Sequence, residues 1–148
     1  MNMNEILKAK GELTIVHRDQ DGNVKNALHV PNLVVTVGKN YIASRMVSSV
    51  ASAIMSHMAI GTGTDVPDVT DQFLGTEAGR VELASFSAAG NQVTATATFP
   101  AGTGTGAITE AGILNAASAG TLLCRTTFPV VNKAAGDSIA ITWVITVS

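Results

Sequence analysis

The tightest constraint on this chain is a strict two-residue alternation of apolar and polar side chains in its second half. From Gln92 to Phe99, the residues Val93, Ala95, Ala97 and Phe99 alternate with Thr94, Thr96 and Thr98. From Ser138 to Val147, the residues Ile139, Ile141, Trp143, Ile145 and Val147 share one face. Successive side chains of a strand point to opposite faces, so this pattern requires a half-buried sheet and is incompatible with an amphipathic helix.

The same reading extends to the rest of the chain. Leu13 and Ile15 begin an extended run that ends at His17-Arg18-Asp19, and Asp21-Gly22 forms a hairpin turn, because both residues tolerate positive φ. Val24–Val30 is the return strand, closed by Pro31, which cannot donate to a ladder; this hairpin sets His17 across from His29. Leu33–Val37 reads as a further strand or the lead into a helix. Tyr41, Ile42, Arg45 and Met46 then fall at helical spacing, so a helix is expected from Val37 to about Val50, ended by the Ser/Ala-rich stretch 48–53. Met55–Ile60 is extended, with Met58 and Ile60 on one face, and stops at Gly61-Thr62-Gly63-Thr64. Asp65–Thr76 is a long loop. Strands follow around Val81–Phe86, over Ala107–Asn115 and over Thr121–Phe128. About eight short strands with Gly, Pro and Asn punctuation and one short helix predict an all-β fold, a β-sandwich of jelly-roll type. The chain divides into an N-terminal arm, 1–10, and a single β domain, 11–148.

Charge narrows the function. Of the 148 residues only 14% are charged while 46% are hydrophobic, so part of the surface is expected to be covered by partners. A net charge of −2 with no basic stripe argues against nucleic acid, and no apolar run is long enough to cross a bilayer, so no membrane association is expected. The start of the chain lacks the apolar core of a secretory signal, and the single cysteine, Cys124, cannot form an internal disulfide.

The residue types that carry chemistry do not form a recognisable active-site pattern. The glycine-rich stretches Gly61–Thr64 and Gly102–Gly106 lack the Lys-Ser/Thr of a phosphate loop and read as flexible turns. His17, His29 and His57 have no further ligands at metal spacing, and Asp65, Asp68 and Asp71 do not follow an EF-hand pattern, so neither metal nor cofactor is expected. Cys124 sits among leucines, as a core cysteine does, and no serine lies in a nucleophile elbow. Glu77, Glu82 and Glu110 would have to converge to form a hydrolytic carboxylate pair. Trp143 reads as a core anchor, with an interface anchor as the alternative. The expectation is a binding protein rather than an enzyme.

The blocks Met55–Thr64, Leu74-Gly-Thr-Glu-Ala-Gly-Arg80, Ile108-Thr-Glu-Ala-Gly-Ile-Leu-Asn115, Leu123–Pro129 and Ile139–Val147 resemble those of small structural proteins of tailed bacteriophages. The resemblance spans roughly residues 11–148 and is to capsid cement or decoration proteins with a jelly-roll fold; related blocks also occur in tail-fibre and baseplate-associated proteins. It implies a virion protein, assembled in the bacterial cytoplasm and placed on the capsid exterior. There it would bridge neighbouring major capsid proteins and associate with itself as a homodimer or homotrimer. A tail-fibre or baseplate component is the alternative. The contacts expected are the arm through Ile6 and Leu7, the Gly61–Thr76 loop through Thr62, Thr64 and Asp65, and the Pro100–Gly106 loop through Thr103 and Thr105.

Overall fold

A computed structural model describes residues 6–47 and 53–148. The strands are β1 (Ala9–Arg18), β2 (Val24–Val34), β3 (His57–Gly61), β4 (Glu77–Glu82), β5 (Ser85–Ala89), β6 (Gln92–Phe99), β7 (Gly106–Leu114), β8 (Leu122–Lys133) and β9 (Ser138–Val147); one helix, α1 (Thr36–Ser44), follows β2. Among the described residues the fold is thus all-β with one short helix, as expected from the sequence. The described strands form one antiparallel sheet in the order β4-β3-β7-β8-β2-β1-β9-β6-β5.

This sheet is curled. β2 pairs with β1 along most of its length but with β8 only at Leu33–Arg125 and Val34–Cys124, so the sheet bends there into two halves. At the opposite side the chain passes from β4 to β5 through Leu83 and Ala84. The Leu83 N–H donates to Ser56 beside β3 and the Ala84 N–H to Thr96 of β6, stitching the two ends of the strand order together. The space enclosed is filled from both halves: Leu13, Ile15, Phe99, Ile141 and Trp143 from one, Met58, Ile60, Ile108 and Ile113 from the other. Burying each such side chain contributes about 1.5–3 kcal/mol. The tryptophan is therefore a core anchor, with no exposed surface.

The back of the second half is covered as well. Val35, Ala59, Leu74, Leu114 and Leu122 form a separate small cluster, and α1 lies directly on β8, where a Cβ on Gly38 would come within 2.0 Å of the Leu123 carbonyl oxygen. The helix is shorter than its pattern suggests. No side chain caps its start; instead the free Thr36 N–H donates to Val69 of the long loop, at 2.8 Å. At its end the last N–H groups bond three residues back, and the remainder of the expected helix, 48–50, lies outside the described residues.

Several expectations are corrected. Pro31 does not close β2, which continues to Val34. Its carbonyl faces β8 and accepts from Thr126 Oγ1, so its missing N–H also lies on the side where no ladder has yet begun. β8 likewise runs through Pro129 to Lys133, because Pro129 falls in the register irregularity opposite Thr109. The hairpin register places His29 opposite Thr14 and His17 opposite Asn26, so the two histidines are not paired. His17 points into the interior while His29 is exposed beside Glu12. Of the expected arm 1–10, residues 1–5 lie outside the described residues, and Ala9 and Lys10 already belong to β1 and pair with β9.

Candidate interaction surface

β7 carries a single charged residue, Glu110, and β8 carries Arg125 among apolar neighbours; the pairing of the two strands brings these charges together. Gly112 lies opposite Arg125, and Glu110, two residues away on the same face, is its diagonal neighbour. Neither side chain reaches solvent to any extent, and Arg125 Nε donates to Glu110 Oε1 at 3.1 Å. The carboxylate also accepts the backbone N–H groups of Gly63, Gly75 (2.7 Å) and Thr76 (2.8 Å). Arg125 Nη1 donates to Asp71 Oδ2 (2.8 Å) and Nη2 to the Asp65 carbonyl (3.1 Å). Both ends and the middle of the 62–76 loop are thereby tied to one buried ion pair.

This clamp explains the glycines. A Cβ on Gly63 would stand 2.1 Å from Glu110 Oε2, and one on Gly61 2.8 Å from the same atom. Gly61-Thr62-Gly63 is therefore a cradle around a carboxylate rather than a flexible turn. The lack of a side chain at Gly112 opens the floor for Leu74. Within the loop, Asp68 accepts from the Thr70 hydroxyl and N–H, which holds its carboxyl below the usual range, and the Asp68 N–H donates to Asp71. What the loop shows to solvent is mixed: Val66 is 83% and Phe73 72% exposed, with Val69 and the charges of Asp65 and Asp68 between them. An open pocket of about 400 Å³ with a mixed polar and apolar lining lies between this loop and Arg125.

The Pro100–Gly106 loop packs beside the first. Gly104 rests on Ile60, and Gly79 of β4 faces Gly104 and the Thr103 methyl. Thr62 and Thr103 are thus half-buried parts of one loop cluster, whereas Thr64, Asp65 and Thr105 are exposed on it. Ile6 and Leu7 are elsewhere. They line a groove of about 810 Å³ between the start of β1, the end of β9 and one flank of α1. Ile42, Ala43 and Met46 complete its apolar lining, and Lys8, Lys10 and Lys39 supply its charge. The surface therefore has two parts, an acidic–apolar loop and a basic–apolar groove. Sequence reasoning missed Val66, Val69 and Phe73, and the groove side of α1. The available signal was three apolar residues inside an otherwise acidic loop.

The remaining polar clusters fasten the fold. Asp137 accepts from His17 Nε2 (2.8 Å), Lys25 Nζ (3.0 Å) and the Ala134 N–H (2.9 Å), and the hydrogen bond from His17 above all holds its carboxyl far below the usual range. Lys133 is buried, donates to the Pro100 carbonyl, and has its ammonium pKa lowered by burial. The Cys124 thiol is pushed far up by burial, which keeps it protonated and unreactive. Glu77 pairs with Arg80, Glu82 is exposed opposite His57, and Glu110 is saturated by the clamp, so the three glutamates do not form a shared site. Among the described residues no group of three or more His, Cys, Asp or Glu is placed to hold a metal ion. None of the protein-family models, curated proteins or solved structures compared with this chain matches it.

Proposed function

We propose that this chain is a structural protein of a tailed-phage particle, a cement protein that binds the capsid exterior and bridges neighbouring major capsid proteins. The observation that carries the reading is the clamped loop. A buried ion pair holds a surface loop whose exposed side chains include two valines and a phenylalanine, which is an arrangement for contact with another protein. The block resemblance supplies the kind of particle. The architecture that goes with this proposal is a sandwich, with β5-β6-β9-β1-β2 as one layer and β4-β3-β7-β8 as the other. Jelly-roll wiring has less behind it, because the hairpins β1–β2, β3–β4, β5–β6 and β7–β8 all join sequence neighbours.

The test is the protein's copy number in purified particles, measured by gel densitometry against the major capsid protein. Hundreds of copies on the shell support cement. A few copies in threefold or sixfold multiples would assign it to the tail, and absence from particles would end the proposal.

A further inference from the structure

We propose that the groove beside α1 is the docking site for a second copy of this chain, which inserts its own Asp65–Phe73 loop. The two surfaces are complementary in both charge and apolar content. The loop presents Asp65 and Asp68 around Val66, Val69 and Phe73. The groove presents Lys8, Lys10 and Lys39 around Ile6, Leu7, Ile42 and Met46, and among the described residues no acidic side chain lines it. A chain with so few charges places opposite signs on its two most exposed apolar surfaces, and such an arrangement favours the matched contact over groove–groove or loop–loop encounters.

The occupant cannot be the molecule's own loop. Glu110 and Arg125 hold the loop at its base, and the Thr36 N–H holds Val69 at the start of α1. The groove lies along the later part of that helix, on Lys39, Ile42, Ala43 and Met46. The same restraints favour docking in another copy, because a loop already held in one shape loses little conformational freedom on binding. Loop and groove are different surfaces, so the contact either repeats head to tail, closing into a ring or running on as a filament, or is exchanged reciprocally by two copies about a twofold axis. The inference deepens the assembly reading and rests on it only in taking contacts between copies to be part of the protein's work. It is tested on purified protein without particles, so its failure is distinct from a failure to bind a shell.

The experiment is sedimentation velocity on the full chain over a wide concentration range, with two variants changed only at exposed positions. V66K/D68K spoils the loop and K39E/M46E spoils the groove; circular dichroism and the melting temperature confirm that both are folded. Removing residues 1–7 gives a second groove variant that needs no charge reversal. The wild type is expected to associate with rising concentration, and each variant alone to weaken association by at least about tenfold in Kd. An equimolar mixture of a loop variant and a groove variant is expected to form heterodimers and nothing larger, because each supplies the half the other lacks. A wild type that stays monomeric throughout, variants that associate as well as it does, or a mixture that remains monomeric would each overturn the proposal.

Discussion

Glu110 and Arg125 occupy positions where a β protein would ordinarily place leucines. Each is almost fully buried, and each is compensated: the carboxylate by three backbone N–H groups and the guanidinium, the guanidinium by the Glu110 and Asp71 carboxylates and the Asp65 backbone carbonyl. A buried pair of this kind costs desolvation and is not by itself a source of great stability, but removing one member strands the other. Glu110→Gln and Arg125→Met should each lower unfolding stability by about 3–5 kcal/mol. The double variant should lose clearly less than the sum, as a double-mutant cycle by urea denaturation would show. Asp137 makes a different residue-level prediction. Its folded pKa is depressed, so its stabilising effect is present above its unfolded value near 4 and is lost as pH falls below it. Asp137→Asn should be less stable than the wild type at neutral pH, and the gap should narrow on acidification below about pH 4, measured by thermal melts across pH.

At the scale of elements, the clamp converts a 12-residue stretch, Asp65–Thr76, from a loop into a fixed surface feature, and glycine makes this possible. Gly63 does not adopt positive φ, so its requirement is steric: any Cβ meets Glu110 and Gly75. Gly63→Ala should loosen the loop while leaving the sheet in place. The expected result is faster limited proteolysis between Thr64 and Phe73, with nearly unchanged far-ultraviolet circular dichroism. The sequence made the strands legible because alternation is a local signal, as in β6 and β9. It misled at Pro31, and it stopped β8 short at Phe128, because whether a proline ends a strand depends on which side the neighbouring ladder lies, and that is set by β8 and β7. The clamp was illegible for the same reason. Glu110 and Arg125 are 15 residues apart, and only the β7–β8 register makes them neighbours. Thr62, Thr64 and Asp65 were picked out in this loop, but the large apolar side chains most open to solvent there are Val66 and Phe73.

For the molecule as a whole, the curled sheet decides where an arm can be removed and where it cannot. β1 is an interior strand between β2 and β9, and its first residues hold the end of the chain: Ala9 and Lys10 pair with Val147 and Thr146, and Lys8 and Ser148 exchange two backbone hydrogen bonds, at 2.6 and 2.8 Å. Ile6 and Leu7 precede this ladder and contribute only apolar surface to the groove. A truncation ending at Leu7 should therefore keep the melting temperature of the full chain, while one ending at Lys10 should lower it. The second deletion removes the β1-side partners from the end of β9, which keeps its pairing with β6, and loses about 0.5–1.5 kcal/mol for each backbone bond broken. Hydrogen exchange should localise the damage to 144–148, leaving β6 and the β7–β8 pair protected. The distinction matters for function, because loss of binding in the longer truncation would report a frayed sheet, whereas loss in the shorter one would report the groove itself.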